Sequence, residues 1–547
     1  MSAKYIIISG GVISGLGKGI TAASIGRLLE SCGHRVTAMK VDMYLNLDAG
    51  TIRPQEHGEV FVTDDGLESD QDLGNYERFL DVNLGRDNYM TTGQVYQEVL
   101  RKERAFEYDG EDVEAIPHVT DEIIRRIEQA GKINKADVVI VEFGGTVGEY
   151  QNSLFFEASR IMKLRLPDDL IHIHVTYLPI PKSLGEMKSK PAQQSVKLLQ
   201  AMGIQPDIIV GRADTDIDNR RRERLALFCN VRPQDVISNP NVDSIYEIPL
   251  LLEKQGLRPT LLHKLHLKDK TGEGLGKWIK FVETIKKPTI EIRIAVVGKY
   301  FGTGEYTLSD AYISVIEAIK HGCWARGVKP ILAWIDSETY EKDPKQLKEL
   351  LSYDGVIVPG GFGKRGIEGI VAAIKFVRIH NIPYLGLCYG MQLAAIEFAR
   401  HVAKLPKAHT TEIDTDTPDP IVHIMPDQEK QLLANNYGGT MRLGSHPAKL
   451  QKGSLAAAAY DTTEINERHR HRYELNNTYR ELLVKHGLII SGTSPDERLV
   501  EIIELPKTEH PFFVATQFHP EFKSRPLSPH PLFSAFATAA LTRSKSK

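Results

Sequence analysis

The chain opens on an apolar run, Tyr5-Ile6-Ile7-Ile8, and then turns abruptly to glycine in "GGVISGLGKG". A short unbroken apolar run bounded by turn residues predicts a strand buried on both faces, because a half-exposed strand would alternate with polar residues. Beyond the glycines, "GITAASIGRLLESCG" carries apolar residues at helical spacing and stops at Gly33; "HRVTAMKVD" is strand-like again. The same alternation recurs through "ADVVIVEFGG", "DLIHIHVTYLP" and "QPDIIVGR". Apolar strands separated by helices predict a parallel sheet covered on both faces. A second series starts at "EIRIAVVGKY" and runs through "YDGVIVPGGFG", "IPYLGLCYGMQ" and "PFFVATQFHPEF". Between the two lies "KDKTGEGLGKWIKFVETIKKP", rich in Lys and Gly. The predicted fold is α/β, with two doubly wound parallel-sheet domains over residues 1–270 and 291–547 and a linker over 271–290.

Composition narrows the function classes. At 547 residues the chain exceeds one ordinary core. Its net charge of −3 provides no global field to gather nucleic acid, and no apolar run reaches membrane-spanning length. Cys32, Cys229, Cys323 and Cys388 are scattered, with no CxxC pair. That argues against a zinc ribbon or a disulfide framework and suits a reducing compartment, so a cytoplasmic location is expected.

The second half carries a candidate thiol nucleophile. "GLCYG" (386–390) places Cys388 between a strand-like segment and an evident helix, with glycines that permit a sharp turn and a helix whose positive end faces a thiolate. "QFHPEF" supplies His519 to withdraw the thiol proton and Glu521 to fix the histidine tautomer. The turn "PGGFG" offers backbone N–H groups for an oxyanion. "ERHRHRYE" (467–474), with His469 and His471 alternating among three arginines, reads as a surface basic strand or an anion site rather than a metal site.

The first half carries a candidate phosphate loop that departs from the usual pattern. Five residues separate Gly11 from Gly17, and Lys18 is followed by Gly19, where the pattern has a serine or threonine whose hydroxyl touches magnesium. Two acidic positions offer an alternative. Glu142 ends a buried strand, where a carboxylate is costly unless it faces a ligand, and Asp72 falls in "DLG", read as an ordered turn. Lys188 and Lys190 precede a proline-started helix, a place for a further phosphate.

"PGGFG", "GLCYG" and "HPE" resemble, in order and spacing, the class I glutamine amidotransferases. "GGVISGLGKG", "HGEVFVTDDG", "DLGNYERF", "GGTVG", "KSKPAQQS", "ALFCNV" and "VDSIY" extend the resemblance to the CTP synthase family along the whole chain. The resemblance implies a P-loop-like front domain of the dethiobiotin-synthetase type, in which glycine after the lysine is normal and carboxylates hold the metal. It implies the substrates UTP, ATP and L-glutamine, with Mg²⁺ accompanying ATP, GTP as activator, CTP as feedback inhibitor, and a homotetramer. ATP then falls to Gly15, Leu16, Gly17, Lys18, Gly19, Ile20, Asp72, Pro240, Asn241 and Val242, and Mg²⁺ to Asp72 and Glu142. The pyrimidine nucleotides fall to Ser14, Glu149, Tyr150, Gln151, Lys188, Ser189, Lys190, Pro191, Ala192, Gln193 and Arg224. Glutamine falls to Gly361, Tyr389, Gly390, Met391, Gln392, Glu412 and Arg472, and His57 to an internal route for ammonia.

The chain departs from the family pattern at Met43, at Glu149-Tyr150-Gln151, at Arg224 in place of lysine, and in the longer "GTGEYTLSD". The altered 149–151 segment bears on inhibition by CTP. Residue chemistry by itself also fits another ATP-dependent amidoligase acting on a carboxylate, or a nucleotide-switched assembly protein.

Overall fold

The computed structural model describes residues 3–547 except 54–55, 57, 271, 289, 300–301, 304–305, 308, 426–427 and 429–437. It divides into two compact units, one of Met1–Leu47 with Asp72–Val282, the other of Asp48–Gln71 with Glu283–Lys547.

The first unit is built on seven strands: β1 (Lys4–Gly11), β2 (Val36–Asp42), β3 (Tyr89–Thr91), β4 (Val138–Phe143), β5 (Leu170–Tyr177), β6 (Ile208–Ala213) and β7 (Val236–Pro240). Their order is β3-β2-β4-β1-β5-β6-β7, and every pairing is parallel. Ile6, Ile7 and Ile8 of β1 are wholly buried, as an unbroken apolar strand at the centre of a covered sheet must be. Helix α1 (Lys18–Ser31) follows the glycine loop, and α2 (Gln71–Leu80), α3 (Lys190–Ala201) and α4 (Asn219–Cys229) are further helices. The segment read as a linker holds a helix over Gly276–Lys286. Its Trp278 is fully buried against Phe79 and Tyr246, a cluster that a Lys- and Gly-rich composition conceals.

The second unit has a nine-stranded sheet: β8 (Ile290–Gly298), β9 (Val328–Asp336), β10 (Gly355–Val358), β11 (Tyr384–Leu387), β12 (Arg442–Leu450), β13 (Glu464–His471), β14 (Ile489–Thr493), β15 (Val500–Glu504) and β16 (Phe513–Thr516). In the order β9-β8-β10-β11-β16-β15-β14-β12-β13, the first five strands are parallel, as the pattern predicts, and four antiparallel strands extend them. Helix α5 (Tyr389–His401) leaves β11 at Cys388.

The short segment Asp48–Gln71 belongs to this second unit although it lies early in the chain. Its hairpin, Val60–Val62 against Glu68–Asp70, is held by side chains from β13. Arg468 Nε donates to Asp64 at 2.5 Å and Arg470 Nε to Glu68 at 2.8 Å. Both Glu59 oxygens accept from the Ser314 backbone N–H, at 3.1 and 3.2 Å. The expectation that "ERHRHRYE" is a surface strand is therefore overturned. Arg468 and His469 are wholly buried; the acidic partner of Arg468, Asp64, comes from some four hundred residues away in the chain, while His469 lies 3.6 Å from Glu501.

Candidate active sites

Parallel sheets gather chemistry at the carboxyl ends of their strands. At that end of the first sheet Lys40 of β2 stands opposite Glu142 of β4, which in turn neighbours Ile8 of β1. Lys40 Nζ lies 3.3 Å from Glu142 and is also ion-paired to Asp72. Asp72 sits in the first turn of α2; the order read into "DLG" is that of a helix start. Lys18, at the start of α1, donates to the Gly145 carbonyl at 2.8 Å. Burial lowers its pKa, while Glu142 and Asp72 pull it back up; the loop lysine and both acids thus share one neighbourhood. Burial raises the Glu142 pKa, repulsion from Asp72 adds to that, and Lys40 and Lys18 oppose it.

Position 19 explains the departure from the usual loop. A Cβ there would lie 2.0 Å from Asp72 Oδ1 and 2.6 Å from its Cγ. Asp72 occupies the space that a loop serine or threonine would need. Two mutually repelling carboxylates with oxygen donors only, beside a phosphate-type loop, fit Mg²⁺, which is commonly held by one or two carboxylates together with substrate phosphates. Among the described residues no group of three or more His, Cys, Asp or Glu could hold a metal by itself.

The remaining sequence candidates of this unit lie around the loop and along the sheet edge. Gly15 and Gly17 have positive φ, Leu16 is buried, and Ser14 is exposed. Ile20 continues α1. Glu149 accepts from the Thr146 N–H and hydroxyl, both at 2.7 Å, while Tyr150 and Gln151 are exposed. Lys188 pairs with Glu186 at 3.0 Å, Gln193 donates to the Ser189 hydroxyl at 3.1 Å, and Lys190 and Pro191 begin α3 with Ala192 buried behind them. Arg224 lies on the exposed face of α4 over the Phe228 ring. Pro240 ends β7, and Asn241 and Val242 follow, Asn241 accepting from Arg212 at 3.1 Å. Lys40 was absent from the sequence candidates; a lysine inside the apolar strand "HRVTAMKVD" was the available signal.

In the second unit Cys388 has φ 49° and ψ −95°, a conformation that costs about 1–3 kcal/mol for a residue with a side chain. The flanking glycines make the turn possible by close approach. A Cβ on Gly390 would lie 2.3 Å from the Val358 carbonyl oxygen, and one on Gly386 2.7 Å from the Tyr384 hydroxyl. His519 follows β16, whose Thr516 pairs with Leu387 of β11, so two neighbouring strand ends deliver the thiol and the imidazole to one place. His519 and Glu521 lie in a 3-10 turn, with Nδ1 2.7 Å from Glu521 Oε1. Burial disfavours charge on the imidazole, but Glu521 and then Cys388 more than offset it, and the His519 pKa is raised to about 10. Among the described residues His519 Nε2 has no hydrogen-bond partner within ordinary distance.

Cys388, His519 and Glu521 line a cavity of about 700 Å³ together with Gly361, Gln392, Glu412 and Arg472. Tyr389 and Met391 are buried in the first turn of α5, and Gly390 packs against β10. Glu412 accepts from the Gly363 N–H at 2.8 Å, and Arg472 donates to Gln428 at 2.7 Å and to Thr440 at 3.0 Å. Gly50, Thr51, Glu59 and Val60 of the early segment also line the cavity. Sequence reading did not anticipate these four, because nothing local marks a contact so distant in the chain. His57 lies outside the described residues.

A raised histidine pKa has a testable sign. The charged imidazole persists below its folded pKa and is lost as pH rises through about 10. Glu521→Gln should bring the His519 pKa, followed by NMR, below about 10, and should lower any turnover that runs through the Cys388 thiol at neutral pH by about 10²-fold. An unmoved titration would separate the carboxylate from the imidazole's charge.

Residues 4–267 match the family model for the CTP synthase N-terminus, and residues 307–539 that for class-I glutamine amidotransferases. A CTP synthase from Carboxydothermus hydrogenoformans is 51% identical over 544 residues, covering 99% of each chain. One from Halalkalibacterium halodurans is 49% identical over 546 residues, covering 99% of this chain and 100% of that one. Among solved structures, the glutaminase domain of Trypanosoma brucei CTPS with bound acivicin is 39% identical, covers 46% of this chain and 94% of that one, and superposes with a TM-score of 0.42.

Proposed function

We propose a division of labour among the residues from one premise: the chain belongs to the CTP synthase family, ATP-dependent ligases that convert UTP to CTP with nitrogen from glutamine. The Cys388 thiolate attacks the side-chain amide carbon of glutamine, a C–S bond forms, and His519 gives a proton to the departing ammonia. Water then cleaves the thioester to glutamate. N–H groups of the Gly361 turn and of Tyr389 receive the oxyanion. Glu412 and Arg472 hold the amino-acid end of glutamine, and Gln392 lies beside it.

In the front unit the 15–20 loop and Lys18 hold the ATP phosphates, and Pro240 to Val242 the adenine side. Ser14, Lys188 to Gln193 and Arg224 hold the pyrimidine triphosphate. Asp72 and Glu142 hold Mg²⁺, which when bound neutralises phosphate charge. The uracil O4 is a poor leaving group; phosphorylated by ATP, it departs as phosphate when ammonia attacks C4. GTP as activator, CTP as feedback inhibitor acting through Glu149, Tyr150 and Gln151, a homotetramer and a cytoplasmic location complete the reading. No helix among the described residues is long and apolar enough to cross a membrane.

The observation that carries the proposal is the meeting of Cys388, His519 and Glu521 at one cavity wall. The test is CTP formation, followed by absorbance, from UTP and ATP with glutamine and then with ammonium salt. CTP is expected from both. Failure with both would return the chain to amidoligases that act on another acceptor.

A further inference from the structure

The glutamine reading leaves one buried cation unexplained. Lys299 follows β8 and is 2% exposed, and lysine is almost never so buried without partners. Its ammonium donates to the Gly363 carbonyl at 2.5 Å and lies 3.5 Å from the Tyr389 hydroxyl and 4.5 Å from the centre of that ring. Tyr389, the residue after Cys388, donates to the same Gly363 carbonyl at 3.1 Å. The backbone N–H of the same glycine, in the preceding peptide, donates to Glu412. The lysine is itself pinned, since Arg365 donates to its backbone carbonyl at 2.5 Å. One residue, through its two flanking peptide groups, therefore ties three things together: the glycine turn, the first residue of the elbow helix, and the acid that faces the amino-acid end of the cavity. Lys299 stands behind the cavity wall, not in it.

We infer that Lys299 is a positioning residue for the glutamine reaction, its ammonium clamping the Gly360–Gly363 turn against the elbow helix and keeping Glu412 charged to receive substrate. The inference rests on the reading that glutamine occupies this cavity. The ammonium helps to compensate Glu412, whose pKa burial raises while the Gly363 N–H and then Lys299 oppose the rise. The clamp is also tunable. Burial lowers the Lys299 pKa to about 8; Glu412 and Glu341 pull upward and Arg365 pushes further down. Among the described residues the phenol of Tyr389 also lies against it. The ammonium is thus lost as pH rises through about 8, before the His519 imidazolium is lost near 10.

The test compares the full-length wild type with K299M and K299R, measuring kcat and KM for glutamine hydrolysis against pH, with ammonium-driven CTP formation as internal reference. K299M should lose about 10- to 100-fold in kcat/KM for glutamine, with both parameters affected, while ammonium-driven synthesis is unchanged. Wild-type kcat/KM should fall above a pH of about 8. In K299R, whose guanidinium stays charged, that limb should move up toward about 10. Wild-type kcat/KM in K299M, or an unmoved limb in K299R, overturns the inference. The arginine variant decides the matter if K299M fails to fold. A wild type that hydrolyses no glutamine would instead overturn the reading of the cavity.

Discussion

Cys388→Ala should abolish CTP formation from glutamine, by at least roughly 10⁴-fold, and leave CTP formation from ammonium salt intact. The asymmetry follows from where the thiol stands. Cys388 is the only cysteine lining the cavity, and Cys229 and Cys323 are buried thiols whose pKa burial raises to about 11 or beyond. The alanine has no sulfur to form the thioester, so His519 and the glycine turn have no reaction to assist. Ammonia supplied in solution bypasses that chemistry and meets the activated pyrimidine directly. The substitution fills less space at a strained turn, so misfolding is not the expected cause of loss. Unchanged glutamine turnover would remove the thiol from the mechanism. Loss of the ammonium-driven reaction would mean that the cysteine also supports the front unit, against a separation of the two chemistries.

Much of this site was legible because its signals are local. The elbow is a five-residue pattern, and the His-Pro-Glu triplet puts base and acid two residues apart; pairing of β11 with β16 then brings the two together. The apolar strands were equally plain, since burial on both faces leaves little room for polar residues. What escaped the sequence is made by distance. Arg468 and Arg470 read as surface charge until Asp64 and Glu68 arrive from the early segment. Trp278 sits among lysines and glycines and still fills a core. Lys40 and Lys299 were not singled out in the sequence; one proves to face Asp72 and Glu142 and the other to hold a glycine turn from behind. In each case a charge or a ring is matched by a partner that no short window of sequence contains.

Gly19→Ser would restore the usual loop pattern, and it should cripple the enzyme. By sequence analogy the serine hydroxyl is an improvement, offering magnesium the ligand that such loops ordinarily supply. By geometry it collides, because its Cβ would sit 2.0 Å from Asp72 Oδ1. Asp72 cannot retreat freely: Lys40 is ion-paired to it and the Asn75 amide donates to it at 3.3 Å. Displacing it by an ångström disturbs the carboxylate pair and the start of α1 together, a misplacement that costs on the order of 10²-fold in rate. CTP synthesis should therefore fall about that much with glutamine and with ammonium alike, while glutamine hydrolysis, measured by itself, persists. Gly19→Ala should be as damaging as Gly19→Ser, since the clash belongs to the Cβ and not to the hydroxyl. If the serine variant keeps wild-type synthesis while the alanine variant loses it, the hydroxyl can replace the carboxylate, and crowding by Asp72 is not why glycine follows the lysine.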